Sequence, residues 1–104
     1  MNEAAITKAV LDHWRKCGLP NTLVASIPNM GSRGQYGLTK GLPDLLVLKP
    51  NGFVGFLELK TEKGRLGPNQ KWFAELCAVT EQNYACTFGR EDPIAKLREW
   101  GVVK

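Results

Sequence analysis

At 104 residues, with 43% hydrophobic and 23% charged residues, the chain has the make-up of a soluble globular protein and the length of one domain, residues 1–104, with too little material for a separate binding domain. No apolar run approaches the ~20 residues of a membrane span and the N-terminus lacks a signal-peptide h-region, so the protein is expected in the cytoplasm. The net charge of +4 leans towards a polyanionic partner, and three cysteines without C-x-x-C spacing indicate neither a disulfide framework nor a zinc site.

Ile6, Ala9, Val10, Trp14 and Cys17 recur at helical spacing, and Gly18 with Pro20 ends that helix. Residues 22–27 read as a strand. Residues 28–41 are rich in Gly, Pro, Asn and Ser, a loop long enough to be functional. The two most apolar runs, 45–48 and 53–57, flank the turn signal Pro50-Asn51-Gly52 and so form a β-hairpin. A polar loop spans 61–67. Pro68 then suits a first helical position, and Phe73, Leu76, Cys77 and Thr80 carry an amphipathic stripe. Residues 83–88 are the next strand, and Asp92-Pro93 opens a last short helix with Ile94, Leu97 and Trp100 on one side. The order is α-β-β-β-α-β-α, an α/β protein. Cys17, Cys77 and Cys86 read as reduced core residues, and His13, the single histidine, as structural or exposed.

Inside the apolar hairpin lie charged residues: Pro43-Asp44 and, fourteen positions on from the aspartate, Glu58-Leu59-Lys60. Charged groups are almost never buried without a partner or a metal, so this placement needs a chemical reason. If the hairpin reflects about Asn51, residue i faces residue 102 − i, and Asp44 faces Glu58. Directly opposed Cβ atoms are about 5 Å apart, so one cation can take an oxygen from each carboxylate. Glu58 and Lys60, two apart on one strand, share a sheet face. A two-residue loop at Asn51-Gly52 would shift the register by one and separate the carboxylates; a metal site requires the odd loop, or a bulge that restores the phase. Facing carboxylates repel unless something cationic lies between them, which points to a divalent-metal site for phosphodiester hydrolysis. Arg33 and Lys40 before this site, and Lys63, Arg65 and Lys71 after it, are the expected DNA-binding residues, steering phosphates past the centre.

The element order, with the acidic pair on the second and third strands, resembles the core of the PD-(D/E)-x-K nuclease superfamily, and more closely the virus-type replication-repair nuclease (VRR-NUC) domain. The resemblance is carried by Glu3 in the first helix, Lys40-Gly41-Leu42-Pro43-Asp44-Leu45, Glu58-Leu59-Lys60, and Gln70 followed by Trp72. It covers nearly the whole chain, as in the stand-alone domains carried by phages. One departure is Gln82-Asn83 before the last strand, where a glycine turn is expected; Asn tolerates left-handed geometry.

The resemblance implies a restriction-endonuclease-like core, a central mixed sheet flanked by helices. It also implies a Mg²⁺- or Mn²⁺-dependent deoxyribonuclease, an endonuclease acting in replication, repair or recombination within a bacterial or phage-infected cell. Asp44, Glu58 and the Leu59 backbone carbonyl would hold the metal, and Lys60 would orient or deprotonate the attacking water. Glu3 and Gln70 would be further catalytic residues. Glu3 can instead serve as a carboxylate at a helix N-terminus, and Gln70, at a third helical position, as half of a capping box.

Because the family includes domains acting on flaps and branched or junction DNA, structure-directed cutting, as of a Holliday junction, is implied. So is a homodimer, with the 28–41 loop carrying Met30 and Tyr36, and the segment Trp100-Gly101-Val102-Val103, as candidate surfaces. The alternatives are a nuclease-fold module that binds DNA without cutting it and a small α/β interaction domain. The first predicts loss of Asp44, Glu58 or Lys60, and all three are present.

Overall fold

The computed structural model describes residues 1–28 and 39–104. Helix α1 (Glu3–Cys17), strands β1 (Leu23–Ser26), β2 (Leu45–Lys49) and β3 (Phe53–Lys60), helix α2 (Pro68–Val79), strand β4 (Asn83–Phe88) and helix α3 (Glu91–Glu99) follow in the expected order. Met30, Arg33 and Tyr36 lie outside the described residues.

The strands form one mixed sheet in the order β1-β2-β3-β4, antiparallel up to β3 and parallel between β3 and β4. A parallel neighbour needs a crossover connection, and α2 provides it. The β2–β3 hairpin turns through Pro50-Asn51-Gly52, and its register, from Lys49↔Phe53 to Leu45↔Leu57, is the odd-loop register. Asn51 (φ 72°) and Gly52 (φ 79°) take the left-handed turn conformation that these two residue types tolerate best.

Alternation along the strands sends Val24, Leu45, Val47, Leu57 and Leu59 to one face. There they pack with Ile6 and Val10 of α1, Ile94 and Leu97 of α3, and Val102 and Val103. The opposite face carries Phe56, Glu58, Lys60 and Tyr84, and α2 lies against it. Phe73 of α2 meets the Phe56 ring edge-on at 5.3 Å and the Tyr84 ring at 6.3 Å. Helices therefore flank the sheet on both sides.

Four details differ from the sequence expectations. In α2, Cys77 is buried and Phe73 half-buried, but Leu76 and Thr80 face outward, because the helix rests on the sheet through a narrow aromatic strip. Helix α3 starts at Glu91. Asp92 instead accepts the Phe88 N–H at 3.0 Å, closing the β4–α3 turn. The left-handed residue after α2 is Glu81 (φ 60°), while the Asn83 side chain donates to the Val54 carbonyl at 3.0 Å. Finally, the C-terminal segment is no docking surface: Val102 and Val103 are buried, Val103 bridges to Gly18, and Trp100 packs edge-on against Phe53 at 5.4 Å. All three cysteines are free thiols, Cys77 buried and the other two half-buried.

Helices α2 and α3 end in the same hydrogen-bond pattern with different residues at its left-handed position. After α3 it is Gly101 (φ 75°), with the Val102 N–H donating to Leu97 O at 2.9 Å. After α2 it is Glu81, with the Gln82 N–H donating to Cys77 O at 2.8 Å. An L side chain in this conformation costs about 1–2 kcal/mol. Glu81→Gly is therefore expected to stabilise the protein by about 0.5–1 kcal/mol, after the greater freedom of unfolded glycine is subtracted. Urea denaturation measures this directly, and a lower midpoint in the variant contradicts it.

Candidate active site

The β2–β3 ladder stops at Leu45↔Leu57, and Asp44 and Glu58 are the next residues on each side. Strand β3 runs on to Lys60, supported along its other edge by β4 in the register Glu58↔Cys86, Leu59↔Thr87 and Lys60↔Phe88. On that edge the buried Thr87 hydroxyl donates to the Glu58 carbonyl at 3.0 Å, and the Gly89 N–H to the Lys60 carbonyl at 2.8 Å. On the edge that β2 has left, Asp44 Oδ2 accepts the Leu59 N–H at 2.6 Å. A side chain here replaces the missing ladder partner. The N–H and C=O of one extended residue leave on the same strand edge, so the Leu59 carbonyl opens towards Asp44.

Glu58 is 2% exposed and Lys60 8%, both on the α2 face of the sheet. Lys60 Nζ lies 3.8 Å from Glu58 Oε2, and Gln70 Nε2 donates to the same oxygen at 3.3 Å. Gln70 Oε1 simultaneously accepts the Gly67 N–H at 2.8 Å. One side chain thus closes the capping box and also reaches Glu58. Its capping bond orients the amide so that the nitrogen reaches Glu58.

Burial is the main cause that pushes the Glu58 carboxyl up to about 8, followed by its hydrogen bond to Asp44 and the repulsion of that carboxylate. Lys60 opposes the shift, and the charge of Glu3 adds to it. Without a cation, Glu58 therefore holds its proton at neutral pH.

Gly41 brings the segment before β2 onto the start of α2. Its φ is +91°, and a Cβ there would come within 2.3 Å of the Asn69 carbonyl oxygen, so the approach requires glycine. Beside this contact, Gly41, Gly67, Pro68, Asn69 and Gln70 line a cleft of about 230 Å³.

Of the residues singled out in the sequence, the structure gathers Asp44, Glu58, Leu59, Lys60 and Gln70. Glu3 is exposed in the first turn of α1; among the described residues its carboxylate makes no hydrogen bond, and it reaches the site only through its charge. Lys40, Lys63, Arg65 and Lys71 are exposed on the turn, loop and helix end around the site, and Arg33 lies outside the described residues.

Sequence reasoning missed two neighbours. Cys86 lies in register beside Glu58, its thiol pushed up by burial and then by that carboxylate. The Tyr84 hydroxyl is buried without a partner among the described residues and is raised mainly by burial. Only the parallel register of β4, set by a crossover, brings them there.

Among the described residues no three His, Cys, Asp or Glu side chains converge as a metal cage. Two carboxylates and the Leu59 carbonyl are the oxygens on offer. Such hard donors suit Mg²⁺ or Mn²⁺, with water and a phosphate completing the shell. The repulsion that raises Glu58 is what a cation between the two carboxylates would relieve.

The family model of the VRR-NUC domain matches residues 1–87. The chain belongs to the VRR-NUC family. Solved structures agree in fold: one described as a VRR_NUC domain has a TM-score of 0.69 and 24% identity, covering 93% of this chain and 94% of the other. A second, a VRR_NUC domain protein, has a TM-score of 0.81 and 16% identity, covering 100% of this chain and 97% of the other. No curated protein is a match in sequence. The family is one of nucleases, and this VRR-NUC chain is a nuclease-fold domain whose partner class is DNA.

The raised Glu58 carboxyl sets the pH dependence of the metal-free VRR-NUC domain. The native state keeps a proton that the unfolded chain releases near 4.5, so this contribution is complete below that pH and is lost as pH rises to about 8. Wild-type melting temperature in EDTA should fall across that window, and Glu58→Gln should flatten the fall. Parallel curves for the two proteins would disprove the assignment.

Proposed function

We propose that this VRR-NUC domain is a divalent-metal-dependent DNA endonuclease that selects its substrate by DNA structure, at junctions, flaps or branches, in replication, repair or recombination. The observation that carries the reading is the pairing of half-buried Asp44 with buried Glu58 at the open end of β3, with Lys60 Nζ 3.8 Å from Glu58. Asp44, Glu58 and the Leu59 carbonyl would hold Mg²⁺ or Mn²⁺, which supplies Lewis acidity towards a phosphate and lowers the pKa of water.

The chain's own groups do the rest. Asp44 is anchored by the Leu59 N–H and meets its ligand without losing further side-chain freedom. Glu58 would hold a cation in its ionised form, its proton passing to solvent, and Gln70 keeps its carboxyl oriented. Lys60, buried on the same face, orients or deprotonates the attacking water and offsets charge that builds on the phosphate oxygens. Arg33, Lys40, Lys63, Arg65 and Lys71 would hold the DNA backbone around the site. Glu3, at the rim, would contact outer water.

A homodimer belongs to the same proposal, because a four-way junction offers two symmetric strands to two equivalent sites. Its support is an apolar stripe on α2: Trp72, Leu76 and Val79, at i, i+4 and i+7, are 49%, 40% and 81% exposed. Light scattering at micromolar concentration should give twice the chain mass. A monomer both free and on junction DNA removes the dimer and leaves the nuclease standing.

Labelled linear, flap, fork and four-way junction DNAs, each with Mg²⁺, Mn²⁺ or EDTA, test the activity. Cleavage should require the ion, favour branched substrates, and fall at least ~10²-fold in Asp44→Asn and Glu58→Gln. Wild-type rates in either variant at saturating Mg²⁺ would sink the proposal. Lys60→Ala should cut about 10²–10⁴-fold more slowly yet still bind Mn²⁺, since a protonated lysine offers a metal no lone pair. Calorimetry showing lost Mn²⁺ binding would overturn the role given to Lys60.

A further inference from the structure

A second feature lies away from the metal-ligand candidates. Helices α1 and α3 enclose an open groove of about 470 Å³, floored by Ala9 and Ile94 and lined by His13, Lys16, Arg90 and Arg98, with Asp12 and Glu91 on its rim. Both acids are already neutralised. Asp12 is bound by Lys8 at 2.6 Å and faces Arg15 at 3.6 Å, and its carboxyl is held below the usual range, first by the Lys8 hydrogen bond. Glu91 is bound by Arg90 at 2.9 Å. Among the groove's own lining, Lys16, Arg90 and Arg98 outnumber Asp12 and Glu91 by one, and Lys8 and Arg15 add two further cations beside Asp12. The groove and its border are thus net positive.

Helix energetics account for part of this pattern only. Lys16 and Arg98 stand in the last turns of their helices, where cations are favoured. Arg90 is the N-cap residue of α3, where a cation is disfavoured. Among the described residues Lys16 makes no ion pair, Arg98 bonds only through Nε to the Lys104 carbonyl at 3.3 Å, and the buried His13 Nε2 has no partner. The groove's donors therefore exceed what the chain itself uses. Its position gives it a direction. Arg90 follows Gly89, whose N–H is bonded to the Lys60 carbonyl at 2.8 Å, so the Arg90 end of the groove opens at the active-site end of the sheet.

We propose that this α1–α3 groove is a second nucleic-acid contact, a basic track that takes the phosphodiester backbone of a DNA arm leaving the active site; it rests on the nuclease reading. A concave basic surface focuses the field on an anionic backbone, and each phosphate neutralised adds to the salt dependence of binding.

The test uses the full chain in EDTA, with labelled four-way junction DNA as the probe. Lys16→Ala/Arg98→Ala should bind about tenfold more weakly at fixed salt, with the slope of log K against log salt less steep by about 2. Cleavage of a short single-stranded oligonucleotide in Mg²⁺ at saturating concentration should be unchanged. Lys16→Arg/Arg98→Lys, which keeps both charges, should restore affinity, separating lost charge from lost fold. Unchanged affinity and slope in the alanine variant would overturn the track. So would displacement of the DNA by polyglutamate as effectively as by unlabelled DNA of equal charge, which would make the groove a general anion surface. A wild type that binds junction DNA through this groove in EDTA but never cuts with metal would fail the nuclease reading and leave the track standing.

Discussion

The site depends on one substitution in the hydrogen-bond ladder: where β2 stops, the Asp44 side chain takes the Leu59 N–H at 2.6 Å in place of a backbone carbonyl. A strand edge left open inside a protein exposes polar groups that must find partners. An aspartate that supplies this partner is bound to lie at the end of β2, level with Glu58. The carbonyl of Leu59 then opens on the same side. Three oxygens are brought together because one N–H had to be satisfied.

The rest of the fold keeps that end rigid. Strand β3 is central, and its far edge is pinned by β4 through the Thr87 hydroxyl and the Gly89 N–H at the level of Glu58 and Lys60. Behind it, Leu57 and Leu59 sit fully buried against α1 and α3. Glu58 and Lys60 alternate with these leucines and so point the other way, towards α2. The helix that covers them also contributes Gln70, whose amide ties its own N-terminus to Glu58. Burial and the nearby carboxylate make Glu58 hard to ionise, a tension that a cation between the two carboxylates would relieve.

The two sides of the sheet present different surfaces. Helix α2 touches the sheet through a few aromatic rings and leaves Trp72, Leu76 and Val79 outside, an apolar stripe next to the site. Helices α1 and α3 bury the main core and present a groove that carries Lys16, Arg90 and Arg98 against Asp12 and Glu91. One side is suited to another protein surface and the other to an anion. Both begin at the same end of the sheet.

The order of elements and the hairpin were legible in the sequence, because each rests on local rules: alternation along a strand, helical spacing, and a Pro-Asn-Gly turn; whether the loop was the odd one was left open there and is decided by the register Lys49↔Phe53. The carboxylate pair followed from that register, since facing positions in a hairpin are fixed by the turn between them. The hydrogen bond from Leu59 to Asp44, the position of Cys86 beside Glu58 and the double role of Gln70 could not be read. Each depends on where a strand ends relative to its neighbour, or on the 61–82 crossover that delivers a parallel partner, and neither leaves a periodic trace. The C-terminal valines read as a candidate dimer surface because their hydropathy is local, while their burial comes from Gly18 and the helices they pack against. Likewise the charges of the α1–α3 groove lie some seventy-five residues apart in sequence, and only the packing of two helices on one sheet face makes them a single surface.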